Sequence, residues 1–368
     1  MLIKQKNIRR DLRILVSITI ILSIIGCIFI YSSSSVYACE KCGSAHYYVL
    51  RQIIGVVIGI IGILIIQCIP TQVIQKSSSI AMLTGLMLTG MTYIPFFARK
   101  IHGASRWISI GGIAFQPSEL LKMSLIMYVA YILSKKDWSQ SSLLHDYLPI
   151  LIVVLIPLAA ILAQPDFGLT VTLSLTIFLM FFLASFKLWH LLISLLLLVP
   201  AGAILILLKP YRLKRILVFL NPWQDPLGSG FQIIQSLIAV GSGNFWGLGI
   251  GNSRQKFFYL PMQHTDFIFS VIAEETGFIG TSLILILYIL LLYYGLRLAR
   301  NIPNKYASLV IAGFTMVTSL QALINIAVTI GVVPTKGIGL PFISYGNTAL
   351  ICNLFMIGII INLVREYS

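Results

Sequence analysis

Asp266 stands at the head of a long apolar stretch, directly after His264 and Thr265. A carboxylate at such a boundary can stabilise the positive end of a helix. It can also take a proton from a hydroxyl nucleophile. The residues alone leave helix stabilisation ahead. Glu274 and Glu275 lie about two helical turns further in, where a carboxylate needs a partner or a wet cavity. Upstream, residues 241–256 read Gly-Ser-Gly-Asn-Phe-Trp-Gly-Leu-Gly-Ile-Gly-Asn-Ser-Arg-Gln-Lys. These glycines fit neither the dinucleotide nor the Walker spacing. They could form an anion-binding nest, with Arg254 and Lys256 meeting a pyrophosphate, or they could simply punctuate a loop. The two readings stand even.

Other candidates are scattered along the chain. In Gly103-Ala104-Ser105-Arg106-Trp107-Ile108, Arg106 could meet a phosphate through a charge-assisted contact, or the Arg-Trp pair could anchor at headgroup depth. Gln116-Pro117-Ser118-Glu119 starts a helix, and Glu119 and Lys122 fall three apart on one face. That spacing suits an ion pair inside the bundle more than catalysis. Asp166 in Gln164-Pro165-Asp166-Phe167-Gly168 fits a helix cap, with a cation-holding or orienting role as the alternative. Pro334-Thr335-Lys336-Gly337 precedes Leu340-Pro341-Phe342-Ile343-Ser344-Tyr345-Gly346. Lys336 could pair with Asp266, meet a phosphate or stay solvated.

These residues must be positioned by a membrane bundle. Of 368 residues, 58% are hydrophobic and only 10% are charged, against about 25% charged in a soluble domain. This excludes a soluble globular protein, a disordered chain and a nucleic-acid-binding module, despite a net charge of +15. A spanning helix needs about 20 apolar residues. Apolar runs lie near 12–32, 50–69, 79–97, 118–134, 148–164, 168–186, 190–208, 267–296, 306–331 and 342–364. They are apolar on every face, unlike the alternating strands of a barrel. The expectation is an all-α integral membrane protein, a single unit over 1–368. Ten spans bring both termini to one side and leave a large connection, about 209–266, between the seventh and eighth.

Lys and Arg in short connections set orientation. Four basic residues precede the first span, and Lys76, Lys135, Lys136, Lys187, Arg297, Arg300, Lys305 and Arg365 share its side, which is placed in the cytoplasm. The other side also holds cations: Lys41, Arg51, Arg99, Lys100, Arg106, Lys209, Arg212, Lys214, Arg215, Arg254, Lys256 and Lys336. That excess hints at an anionic ligand outside. The turn-rich segments 99–118, 164–168, 209–266 and 334–347 fall on the same outer side. The first apolar run is long enough to span uncleaved; Val36-Tyr37-Ala38-Cys39 resembles a lipoprotein cleavage site only faintly. Cys39 and Cys42 form a Cys-x-x-Cys in the first connection. A disulfide or redox pair is open to them if that loop is outside, though two idle thiols is the favoured reading.

Together these motifs resemble the SEDS family (shape, elongation, division and sporulation) of cell-wall synthesis proteins. The resemblance runs from the first span to the last. It rests on Ser105-Arg106-Trp107-Ile108, Gln116-Pro117-Ser118-Glu119 with Lys122, Gln164-Pro165-Asp166, Asn221-Pro222-Trp223, Gln235-Ser236, Gln255-Lys256, Tyr259-Leu260-Pro261, His264-Thr265-Asp266-Phe267-Ile268-Phe269, Glu274-Glu275 and Ser344-Tyr345-Gly346. Pro334-Thr335-Lys336-Gly337 is closer to division-type than to elongation-type members. Met262, His102, Leu169, Asn244 and Asn347 depart from the family pattern, and Met262 removes a carboxylate usual at that place.

The resemblance implies a peptidoglycan glycosyltransferase of the bacterial inner membrane, working at the division septum. It would polymerise lipid II, a disaccharide-pentapeptide on undecaprenyl pyrophosphate, at the outer face. Asp266 would be the general base for the acceptor hydroxyl. Arg106, Trp107, Arg254, Lys256, His264, Lys336 and Ser344 would face substrate, with Arg106, Lys256 and Lys336 stabilising the leaving charge. Glu119, Lys122, Asp166 and Glu275 would support the site. A divalent cation (Mg2+ or Mn2+) could share the task, although no metal-ligand spacing is visible. Expected partners are a class B penicillin-binding transpeptidase, other divisome membrane proteins and membrane lipids. The competing readings are a lipid II flippase, an elongation-type polymerase and a recruiting scaffold.

Overall fold

A computed structural model describes residues 2–96, 98–101, 104–110, 113–256, 260–261 and 263–367, with backbone only at 2–4, 98–101, 104, 110, 113 and 201. His102, Gly103, Tyr259 and Met262 therefore lie outside the described residues. The chain is nearly all helical: α1 (Leu2–Cys42), α2 (Tyr47–Gln67), α3 (Thr71–Met91), α4 (Pro117–Ser134), α5 (Leu148–Ala163), α6 (Phe167–Leu183), α7 (Leu188–Leu207), α8 (Pro210–Leu220), α9 (Phe231–Ser242), α10 (Ile268–Asn301), α11 (Lys305–Thr329) and α12 (Asn347–Arg365). The predicted apolar runs fall on α1–α7 and α10–α12. Among the described residues, seven helices are long and apolar enough to cross a membrane. Helices α3, α4 and α6 are not among them. This is a multi-pass membrane protein.

The core is built around α11, 78% of whose most apolar stretch is buried, whereas α7 is peripheral at 18%. Helices pair α1 with α10, α2 with α12, α3 with α4 and α10 with α11. In α4, Lys122 Nζ donates to Glu119 Oε2 at 2.6 Å and reaches Gln321 on α11 (3.3 Å) and Asn353 on α12 (3.4 Å). The two charges thus stitch three helices, as the ion-pair reading anticipates. A second charge pair, Arg297 with buried Asp11 at 3.0 Å, joins α10 to α1. At that same end Lys305 donates to the Lys136 carbonyl (2.7 Å) and Arg365 to the Gln67 carbonyl (3.2 Å).

Three local expectations need correction. The first helix does not stop near residue 32. Ser33 and Ser34 donate back to the Ile30 carbonyl, at 3.4 and 2.6 Å. With these two hydroxyls satisfied inside the helix and that of Ser32 on Glu275, the serine run lets α1 continue, so Cys39 and Cys42 sit on its last turn rather than in a loop. Residues 98–115 are not an irregular connection. Strands β1 (Ala98–Ile101), β2 (Ala104–Ile110) and β3 (Ile113–Phe115) form an antiparallel sheet. Its registers pair Ile101 with Ala104 and Ile110 with Ile113. The long outer connection is likewise organised by α8 and α9.

The third correction concerns the glycine-rich segment. Helix α10 breaks at Gly277, whose φ is +64°. The freed carbonyls of Glu274 and Glu275 accept from Leu248 N (2.9 Å) and Gly249 N (3.0 Å), and Phe278 N donates to the Asn244 carbonyl (2.9 Å). A Cβ on Gly277 would lie 2.4 Å from Gly247 N, and one on Gly243 would lie 2.0 Å from the Ala273 carbonyl. The glycines are there because two backbones touch. Their amides serve the kink and form no anion nest.

Candidate active site

Three distant segments, together with its own, close around Asp266 at one end of the bundle. The sheet brings Arg106 and Trp107, α8 brings Tyr211, Lys214 and Arg215, the segment before α10 brings His264, and the loop before α12 brings Lys336 and Gly337. Together they line a cavity of about 810 Å3. An adjoining cavity of about 280 Å3 runs inward from Asp266 toward Glu119. A third, about 180 Å3, opens under α8 beside Phe167 and shares Arg106, Arg215 and Lys336 with the first.

Each cation is held in place. Arg106 Nε donates to the Gln164 carbonyl (3.0 Å) and Nη2 to the Pro165 carbonyl (2.5 Å), while Nη1 lies 3.6 Å from Asp166 Oδ2. Asp166 also caps α6, accepting from Leu169 N at 3.1 Å. It is both cap and orienting partner, and burial raises its carboxyl against the opposing pull of Arg106. Arg215 Nη1 donates to the Thr335 carbonyl (3.2 Å), which docks α8 on the 334–337 loop. Lys336 Nζ lies 5.3 Å over the Phe167 ring, whose other near cation is Arg212, also at 5.3 Å.

Asp266 itself is half-buried. Burial is the main cause, and the negative charge of Asp166 a second, that push its carboxyl up to about 6, against Arg106 and Arg215. A base titrating there is ionised at neutral pH yet basic enough to accept a proton in a transition state. His264 is pushed down to about 4 by burial and is a neutral imidazole at pH 7. Its ring packs on Tyr48 (4.5 Å), Tyr37 (5.6 Å) and Tyr345 (5.9 Å).

Two of the expected substrate contacts are placed elsewhere. Lys256 is buried at 5% exposure, bonded to the Gly251 carbonyl and 3.5 Å from Glu275 Oε1. The exposed Arg254 donates its amide to Glu274 Oε1 (2.9 Å), and Glu274 also takes the Ser253 hydroxyl. Both cations follow the weld at the α10 kink away from the cavity. Ser344 lines the inner cavity, but its hydroxyl is spent holding the loop. It donates to the Thr265 carbonyl (2.6 Å) and accepts from Leu340 N (2.7 Å). Glu275 supports the fold, accepting from Ser32 of α1 at 2.7 and 2.8 Å.

The sequence reading missed Arg215 and Lys214 as lining residues, although the basic, apolar-striped pattern of 210–220 signals an amphipathic helix. It also missed Asn325. Its Nδ2 donates to the Asp266 carbonyl (2.8 Å) and the Ile338 carbonyl (2.6 Å), tying the aspartate to the Lys336 loop. A Cβ on Gly337 would come within 3.3 Å of Asp266 Oδ2. No pattern announces a lone Asn in an apolar helix. Among the described residues no group of three or more His, Cys, Asp or Glu could hold a metal. The nearest carboxylates, Asp266 and Asp166, are faced by Arg106 and Arg215, a donor set that does not fit a resident divalent cation.

A family model described as cell cycle protein, FtsW/RodA/SpoVE, matches residues 12–368. The chain is 40% identical over 355 residues to stage V sporulation protein E of Bacillus subtilis, covering 96% of this chain and 97% of that one. It is 39% identical over 350 residues to a probable peptidoglycan glycosyltransferase FtsW of Trichlorobacter lovleyi, covering 95% and 92%. Among solved structures it superposes with TM-score 0.79 and 30% identity on a chain from a work titled "Structural coordination of polymerization and crosslinking by a peptidoglycan synthase complex", covering 96% and 97%. With rod shape determining protein RodA of Thermus thermophilus the TM-score is 0.70 at 25% identity, covering 96% of each chain.

Proposed function

The chain belongs to the FtsW/RodA/SpoVE family, and from that membership we propose that it is a peptidoglycan glycosyltransferase of the division type. It polymerises lipid II at the outer face of the cytoplasmic membrane, at the septum. The carrying observation is Asp266, a raised carboxylate in a cavity lined by Arg106, Arg215 and Lys336. Asp266 takes the proton of the acceptor sugar hydroxyl. That oxygen attacks the donor anomeric carbon, and the bond from that carbon to the pyrophosphate oxygen breaks. The three cations neutralise the departing diphosphate, which removes the need for a metal at that step. Trp107 offers its ring face to a sugar.

The chain acts as one unit of ten spans with both termini in the cytoplasm. Lys136, Lys305, Arg297 and Arg365 cluster at the end away from the cavity, which supports that orientation. A class B penicillin-binding transpeptidase is the expected partner, supported by the similarity to a chain of a peptidoglycan synthase complex; other divisome proteins and membrane lipids complete the setting. The test is polymerisation of purified lipid II by the chain with its transpeptidase. Asp266→Asn is expected to lower the rate at least about a hundred-fold while the protein still folds. Undiminished polymer from that variant would remove Asp266 from the chemistry.

A further inference from the structure

Cys39 and Cys42 are both free and exposed, one turn apart at the end of α1. Helix geometry sets their Cα atoms about 5 Å apart, within the range of about 4.4–6.8 Å that a disulfide bridges. Gly43 stops the helix at φ +71°, so the turn carrying Cys42 is braced on one side only and can adjust. Two thiols are too few for a structural zinc site, and no third ligand joins them among the described residues. Cys42 is not isolated from the cavity. The helix that carries it reaches the cavity through Tyr37, whose ring packs 6.2 Å from Tyr48 and 5.6 Å from His264. The Tyr48 ring packs 4.5 Å from His264, which lines the Asp266 cavity, and 4.9 Å from Tyr345.

We propose that Cys39 and Cys42 form a thiol–disulfide exchange site at the mouth of the bundle, whose closure alters the Asp266 cavity through Tyr48 and His264. The site takes a disulfide oxidant, either a small molecule or the active-site disulfide of a carrier protein. One thiolate attacks a sulfur of that disulfide, giving a mixed disulfide and one free thiol. The second thiolate then attacks the mixed disulfide and releases the other thiol. The pair loses two protons and two electrons, and the oxidant leaves as two thiols. Closure turns the Cys42 sulfur toward Cys39 and re-forms the last turn of α1, five residues beyond Tyr37, whose ring packs on Tyr48 and lines the cavity. Access to an oxidising compartment rests on the outward orientation proposed above.

The full-length chain, purified in detergent, is treated with oxidised glutathione and analysed by peptide mass. The expected product is an intramolecular Cys39–Cys42 link, reversed by dithiothreitol and absent from Cys39→Ser. Lasting glutathione adducts, dimers or an unchanged mass would overturn the site. Coupling is read twice: lipid II polymerisation and the rate at which diethyl pyrocarbonate modifies His264 are each expected to change at least three-fold on closure, and not in treated Cys39→Ser. A closed pair that moves neither overturns the coupling. If the reduced chain makes no polymer, the glycosyltransferase reading fails while the mass and His264 readouts still decide this one. In intact cells first reduced with a membrane-impermeant phosphine, a membrane-impermeant maleimide is expected to label Cys39 and Cys42; labelling only after permeabilisation overturns the proposal.

Discussion

Asp266 carries opposite demands. The proposed role as a base needs it ionised; burial and the charge of Asp166 resist that and hold it near 6. Polymerisation should therefore fall as pH drops through about 6, with kcat/KM losing about tenfold per unit below it, measured across pH 5–8. The same shift has a stability sign. A carboxyl raised in the fold above its ordinary value of about 4 stabilises the protein below that value and loses that contribution as pH rises through about 6. Asp266→Asn should thus melt higher than the parent at pH 7, and equally at pH 4. An inactive variant that is more stable would separate chemistry from folding. The aspartate was legible in the sequence as a carboxylate at a helix start. Its burial and its charged neighbours were not, because Arg106, Asp166, Arg215 and Lys336 come from segments about 50 to 160 residues away in the chain.

Helix α11 holds the site through two polar side chains one turn apart. Asn325 ties Asp266 to the loop of Lys336, and Gln321 donates to the Gly339 carbonyl (3.1 Å) and accepts from Lys122. Asn325→Leu leaves two carbonyls unpaired, each costing about 1–3 kcal/mol. The expected result is a lower kcat with KM for lipid II little changed, and no rescue by Asn325→Gln, whose longer side chain displaces the amide. In α4, Lys122→Met strands Glu119 in the core and should destabilise by about 3–5 kcal/mol, as breaking one side of a buried pair does; thermal unfolding in detergent measures it. The double variant with Glu119→Gln should recover most of the loss. Periodicity located both helices, but apolar runs are silent on which face meets which neighbour. The strands β1–β3 are short and flanked by helices, so their pairing, unlike the helices, has no long periodic run to mark it.

At the scale of the whole molecule, chemistry and anchorage occupy opposite ends. The cavity cations gather around Asp266, while the connections bearing Lys136, Lys305 and Arg365 pack on one another at the other end. In a chain whose five cysteines are replaced by Ser, Leu227→Cys, in an exposed stretch of the connection between α8 and α9, should react with an impermeant maleimide in intact cells. Gln140→Cys, beside Lys136, should react only after permeabilisation. The reverse pattern would invert the molecule and exclude an outer-face polymerase.

The sequence by itself determined that this chain lives in a bilayer, where its helices run and which residue types cluster between them, because apolar length and backbone hydrogen bonding in lipid leave few alternatives. It also carried the family motifs. Only the tertiary structure decided which of the cations face Asp266. Arg106 and Arg215 do, and Lys336 lines the same cavity, because a sheet, an amphipathic helix and a loop converge there. Lys256 and Arg254 do not, because the backbone of their segment is spent closing the break in α10. Partner choice among like charges is a matter of packing across long loops, and no local pattern encodes it.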